Sequence, residues 1–288
     1  MKVSGFTFIR NGSRLGYPYL ESIRSVLPIC DEFVVAVGAS DDDTLERIRG
    51  IGSDKIRILE TRWNESMRDR GFVYAQQKMI AQYNCVGDWA FYLEGDEVLH
   101  EDDLATIRAS MQRHLDNPSV EALVFDYHHF FGSPDWRAIS PGWYRRAPRI
   151  IRNSIRTWAP DGLFWVVMDA NKRGRYPRAA LAGSPIYHYG HVRRISAMNE
   201  KLQRVGKYWG DSHVRFDAYR IDPQALAPFA GSHPGVVREW LQQEAETAYQ
   251  PDPMHTPSSK ERKHRWMMKL ERRFGLELSK KHYSLLHP

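Results

Sequence analysis

Cysteine is nearly absent from these 288 residues: only Cys30 and Cys85 occur, each beside an apolar segment. Without CxxC or Cys/His spacing, zinc modules and thiol–disulfide motifs are excluded, and both thiols are expected to be buried and free. No apolar run approaches the ~20 residues that span a bilayer. Internal repeats and low-complexity tracts are missing as well. No Gly-rich phosphate loop with a partner lysine stands near the N-terminus, which argues against a nucleotidyltransferase. The strand-like run Val3–Ile9 begins at once and leaves no room for a signal peptide, so a cytoplasmic location is expected.

An excess of one charge is also lacking, except at one end. Residues 254–288 carry nine Lys/Arg against Glu261, Glu271 and Glu277, a surplus equal to the net charge of +6 for the whole chain. The remainder balances, so nucleic-acid binding by the main body is not expected. Within 260–274, Met267, Leu270 and Phe274 fall on one helical face with Trp266 and Lys/Arg around it. Such a segment is expected either to make peripheral contact with an anionic membrane or to pack on the body as a solvated helix.

Hydrophobic content of 42% supports a substantial core. Val3–Ile9, Phe33–Val37 and Lys55–Leu59 read as strands, with helices over Tyr19–Leu27 and Thr44–Ile51 between them. This β-α-β-α-β alternation predicts an α/β fold with a mostly parallel sheet. A helix over Phe72–Tyr83, a strand at Trp89–Leu93, a helix over Asp102–Leu115 and a strand at Glu121–Tyr127 follow. Residues 128–190 suit strands joined by long loops, and Ile195–Trp209 and Val236–Ala248 read as helices.

The segment Trp89–Glu97 is the most informative. A buried strand ends in Glu94, Asp96 and Glu97 around Gly95, and strand ends in open α/β sheets face the ligand crevice. Unpaired carboxylates buried there would cost several kcal/mol. A hard cation such as Mg²⁺ or Mn²⁺, shared with a substrate phosphate, would relieve that cost; a solvated acidic turn is the plainer alternative. Asp41, Asp42 and Asp43 follow the second strand, where one is expected to cap the next helix and another to meet ligand. Arg70 lies at a helix start and Lys78 shares a face with Tyr74; both are expected near diphosphate. His188 and His191 offer one metal ligand. Asp169, then Asp161, then Asp135 are candidates for a general base, since apolar surroundings raise a carboxyl pKa.

Several segments resemble the inverting family 2 glycosyltransferases of GT-A fold, most closely the bacterial branch that builds lipopolysaccharide core and other surface glycans. Tyr19-Leu20-Glu21-Ser22-Ile23-Arg24-Ser25-Val26 is similar to that family's first helix, and Ser40-Asp41-Asp42-Asp43-Thr44 to the end of its second motif. Gly71–Lys78 resembles its donor-binding helix. Gly87-Asp88-Trp89-Ala90-Phe91-Tyr92-Leu93-Glu94-Gly95-Asp96-Glu97-Val98-Leu99 resembles its metal-binding block, and Arg145–Arg152 its Arg-Leu-Phe-Arg segment. The chain departs from the pattern at Val37 and Gly38, where relatives carry acids, in having Glu94 for the first Asp, and in lacking a His-Glu pair. The resemblance implies a GT-A domain over 1–210, with a nucleotide-sugar half (1–104) and an acceptor half (105–210), and a helical extension over 211–288. It implies a nucleotide-diphospho-sugar donor contacted by Arg10, Asp41, Arg70, Gln76, Lys78, Glu94 and Gly95. Asp96 and His188 would hold Mn²⁺ or Mg²⁺, Asp169 or Asp161 would be the base, and the acceptor would be a glycan or lipid-linked sugar. A non-catalytic nucleotide- or glycan-binding protein on the same scaffold is the alternative.

Overall fold

A computed structural model describes residues 1–208, 217, 220–246 and 249–286. β1 (Val3–Ile9), α1 (Tyr19–Val26), β2 (Glu32–Gly38), α2 (Thr44–Arg49) and β3 (Ile56–Thr61) realise the opening alternation. β1 and β2 are buried along nearly their whole length, which is why they read as continuous apolar runs rather than alternating ones. α3 (Phe72–Tyr83) then crosses over and returns the chain to β4 (Trp89–Tyr92) on the far side of β1. The order β4-β1-β2-β3 is parallel throughout and reverses direction at β1. A reversal of this kind opens a crevice beyond the strand ends.

The sheet continues through β5 (Glu97–Val98), α4 (Leu104–Arg113), β6 (Ala122–Phe131), β7 (Ser133–Ala138) and β8 (Arg146–Arg152), with β8 antiparallel to both β4 and β6. β9 (Thr157–Trp158), β10 (Val166–Met168) and β11 (Gly174–Arg175) form a small separate sheet. The long β12 (Arg178–His191) runs parallel to β6 and then antiparallel to β5, with Tyr187 opposite Val98 and His188 opposite Glu97. α5 (Ile195–Gly206) follows. Of the two helices expected after Arg193, the first would include Trp209 and the second 247 and 248, all outside the described residues. Further on, β13 (Leu226–Pro228) joins β7, and α6 (Arg238–Glu244) and α7 (Ser259–Phe274) precede β14 (Ser284–Leu285), which joins β12. Besides helices, the last part of the chain thus adds two strands to the main sheet.

Two apolar layers cover the sheet: Phe33, Val35, Phe91, Leu123 and Ile150 pack with α1 and α4 on one face. Phe6, Val34, Tyr92, Val124, Ile151 and Trp165 pack with α3 on the other. Cys30 and Cys85 are free and buried, as the composition predicts.

Glu121, at the entry to β6, ties three strands together. It accepts hydrogen bonds from Arg175 (2.6 and 2.7 Å), from the Arg178 side chain and from the Arg178 backbone N–H. Burial alone would raise its pKa, but these donors outweigh burial and pull it from 4.5 to about 2. A depressed carboxyl stabilises the fold fully above its unfolded value and loses that contribution as the pH falls through the folded one. Glu121→Gln should therefore lower stability by about 1–2 kcal/mol at neutral pH, discounted for the solvent-open arginines. In denaturant titrations the gap to wild type should close between pH 4.5 and about 2; a gap independent of pH would refute this assignment.

Candidate functional site

β4 ends where Thr7 Oγ1 donates to the Leu93 carbonyl (2.6 Å) and Glu97 N–H donates to Glu94 O (3.0 Å). This tight turn sends Glu94 and Asp96 toward the crevice and Glu97 into the protein. Glu97 is fully buried and accepts from Arg149 Nε and Nη2 (2.7 Å each) and from the Tyr127 hydroxyl (2.8 Å). Arg149 Nη2 also donates to Glu94 Oε1 at 2.8 Å, so one buried guanidinium fastens both glutamates. Burial would raise Glu97, and Arg149 overrides it, keeping the carboxylate ionised. Glu94 goes the other way: burial, then the charge of Glu97, pushes it up to about 8.

The β5–β12 register sets the other half. Tyr189 N–H donates to the Asp96 carbonyl (2.8 Å), and His188 Nε2 lies 3.7 Å from Asp96 Oδ1. Gly190 is required here, because a Cβ would come within 2.6 Å of that Nε2. Asp96 Oδ2 accepts from Arg193 (2.5 Å) and faces Lys201 at 3.5 Å. Burial disfavours the Asp96 carboxylate, yet the cationic Lys201 and Arg193 hold it well below the usual range.

His188 is oriented from behind. His129 Nε2 lies 2.7 Å from the Tyr144 carbonyl, so that nitrogen must donate. Burial keeps His129 neutral, leaving its Nδ1 to accept from His188 Nδ1 at 2.8 Å. Burial also favours a neutral His188, whose bare Nε2 therefore points at Asp96 Oδ1. Single ligand atoms of Glu94, Asp96 and His188 lie within 4.8 Å of one another. Two carboxylates and one imidazole lone pair suit a divalent cation, and the tautomer is already set for it.

A cavity of about 410 Å³ opens from this turn. One wall is aromatic: Phe8, Trp63, Tyr74, Tyr92 and Tyr208, with Trp63 and Tyr74 edge to face at 5.2 Å. Cations complete the lining: Arg10, Lys201, Arg204 and Lys207, with Arg10 5.5 Å over the Trp63 ring and Lys207 4.9 Å over the Tyr208 ring. Glu65 ties these groups together by accepting from Arg10, Lys207 (2.5 Å) and the Tyr208 hydroxyl (2.6 Å).

Of the residues the sequence singled out, Arg10, Glu94, Gly95, Asp96 and Asp161 line this cavity, with His188 directly behind Asp96. Asp161 is delivered by a turn whose Gly162 (φ +84°) lies against Tyr74. Asp169 does not line it; its side chain accepts from Arg173 N–H and closes the β10–β11 turn. Asp135 is likewise absent from the lining. Asp41 is exposed and pairs with Arg14 and Arg204. Asp42 accepts from Thr44 N–H in a turn just before α2, while the N-cap residue Asp43 makes no side-chain cap bond, so the expected carboxylate cap is not formed. Gln76 is half-buried and Arg70 exposed, neither reaching the cavity. The first amides of α3 are partly taken up, because Gly71 N–H donates to the Tyr208 carbonyl and Phe72 N–H to the Asp69 carbonyl. Lys78 is fully buried between the rings of Tyr92 and Trp165, at 4.0 and 3.9 Å, instead of facing the cavity. Burial and then the charge of Arg149 depress its pKa strongly.

The sequence reading did not assign Trp63, Glu65, Arg149, Arg193 or Tyr208 to the site. Lys201, Arg204 and Val205 share one stripe of α5, with Tyr208 in the turn after it, and that spacing was a usable signal. Trp63 also accounts for Gly38: a Cβ there would come within 2.4 Å of its indole nitrogen. An acid at that position would displace the indole.

No family model matches the chain, and no curated protein matches it in sequence. Among solved structures it is similar to S. aureus TarS, with a TM-score of 0.40 and 16% identity over 71% of this chain and 39% of that one. It is also similar to S. aureus TarS 1–349 in complex with UDP-GlcNAc (TM-score 0.35, 15% identity, 54% of this chain and 46% of that one). A third is glucosyl-3-phosphoglycerate synthase from Mycobacterium tuberculosis in complex with Mn²⁺, UDP and phosphoglyceric acid (TM-score 0.31, 15% identity, 45% of this chain and 43% of that one). The chain thus spans less than half of each, and the functional reading rests on the site itself.

Proposed function

We propose that this protein is an inverting, GT-A-type glycosyltransferase that moves a sugar from a nucleotide-diphospho-sugar to a glycan or lipid-linked hydroxyl. We assign that activity to bacterial lipopolysaccharide or surface-glycan assembly on the motif resemblance alone. The observation that carries it is the cavity: carboxylates at a strand end, an aromatic wall for a base, and four cations for a diphosphate. Trp63, Tyr74 and Tyr208 offer ring faces and edges to a nucleobase. Arg10, Lys201, Arg204 and Lys207 neutralise the diphosphate, which takes up negative charge as the bond to the anomeric carbon breaks. Inversion requires the acceptor hydroxyl to attack from the side opposite the leaving diphosphate, and we assign its proton to Asp161, a carboxylate of the cavity lining whose Oδ1 accepts from Leu163 N–H. Glu94, Asp96 Oδ1 and His188 Nε2 would hold Mn²⁺ or Mg²⁺, which supplies Lewis-acid stabilisation of the leaving phosphate.

A thermal-shift panel of nucleoside diphosphates with Mg²⁺ and Mn²⁺ tests donor and metal together. One nucleotide should raise the melting temperature, more so with the ion, and the purified protein should turn over the corresponding sugar donor. Nucleotide binding without turnover of any donor or acceptor would favour a non-catalytic binding protein instead.

His129 should act on the ion without touching it. His129→Phe keeps the aromatic packing but removes the acceptor for His188 Nδ1–H. Mn²⁺ affinity, read by electron paramagnetic resonance, should fall about 10–100-fold; unchanged affinity would remove His129 from the site's support.

A further inference from the structure

The tail carries the chain's entire charge surplus, and the fold sorts those charges by face. α7 begins with a capping box in which Ser258 and Glu261 exchange hydrogen bonds. Its inner side is fastened to the body: Glu261 accepts from Asp222 N–H, and Arg265 donates twice to Asp222 (2.6 and 2.7 Å). The His264 ring lies on Gly142, and Glu271 pairs with Arg145 at 2.6 Å. Glu277, just beyond the helix, pairs with Arg146 and Lys281. All three acids of the tail are therefore engaged in capping or ion pairs.

What remains outside is cationic and aromatic. Arg262, Trp266, Lys269 and Arg273 recur along one stripe of the helix, with Lys263 beside it, and every one is exposed. Trp266 is 61% exposed, and Phe274 and Leu276 at the helix end are 64% and 52% exposed. The face anticipated from sequence is not this one: Met267 and Leu270 are half-buried, and Phe274 alone of that trio is open. Large rings set among lysines and arginines match an interface that is negatively charged at the surface and apolar just beneath it.

We propose that this face of α7 docks on an anionic lipid bilayer, with Trp266 and Phe274 entering the headgroup boundary and the Lys/Arg stripe lying over the lipid charges. Attraction of this sort decays within a Debye length, so it acts only at the surface and weakens with salt. Indole and phenyl rings supply the apolar part. Single-stranded RNA also offers negative charge, with bases that stack on aromatic rings, so it enters the test as a competitor. The proposal is independent of the glycosyltransferase reading, because donor hydrolysis needs none of these residues.

The test is co-sedimentation of the full chain with phosphatidylcholine vesicles, with and without phosphatidylglycerol, and with RNA as competitor. Binding should appear only with phosphatidylglycerol, and brominated lipid should quench tryptophan emission. Trp266→Ser should lose that quenching, and Lys263→Glu with Lys269→Glu should weaken partitioning at least about ten-fold. These side chains are exposed, so the melting temperature and circular dichroism of each variant should match wild type. Equal binding to neutral vesicles, no binding to anionic ones, wild-type partitioning of the charge-reversed variant, or RNA binding in place of vesicle binding would each overturn the proposal.

Discussion

Asp96→Asn should reduce donor turnover by about 10²–10³-fold, comparable with removing one preorganised electrostatic group from an active site. The substitution keeps the shape of the side chain and removes its charge. Arg193 and Lys201, now held to Asp96 Oδ2, would then face an amide, and an ion at Glu94 and His188 would lose its third ligand. Removing one partner of a buried ion pair destabilises by about 3–5 kcal/mol, so the melting temperature should fall too. Asp96→Glu separates the two effects: with charge retained, stability should largely return, while turnover stays low because the carboxylate is displaced by a methylene. Turnover of Asp96→Asn within about two-fold of wild type would sink the assignment of this turn as the reacting centre.

Arg149→Met should cost about 3–5 kcal/mol of stability, or roughly 6–20 °C in melting temperature. Arg149 is itself buried and is the only cation hydrogen-bonded to the fully buried Glu97 among the described residues. Its loss leaves that carboxylate uncompensated and also frees Glu94. The double variant Arg149→Met with Glu97→Gln should recover a good part of the loss, since the fully buried position 97 then carries no charge. A double variant no more stable than Arg149→Met would show that packing, rather than charge, governs the effect.

The α/β half of the fold was readable because its signals are local. Val3–Ile9 and Phe72–Tyr83 form over the residues expected, since an apolar run between turn residues and a helical periodicity each act over a few neighbours. The acidic strand end was readable for the same reason. Lys78 shows where local reasoning stops. Its helical spacing from Tyr74 is as expected, but α3 lies so close to the sheet that its amine ends between two rings. Asp169 stands among apolar neighbours in sequence, yet a hairpin carries it away from the cavity.

The sequence by itself determined the strand and helix order, the carboxylates at the end of the fourth strand, and the concentration of positive charge in the tail. Only the tertiary structure decided that His188 meets Asp96, that Arg149 rather than Lys78 compensates the buried acids, and that the outward face of α7 keeps its cations while the acids are engaged. The reason is physical. Propensity and periodicity act within a few residues, whereas the pairing of β5 with β12 joins positions about ninety residues apart, and the charge balance of a buried site depends on every group that the fold brings to it.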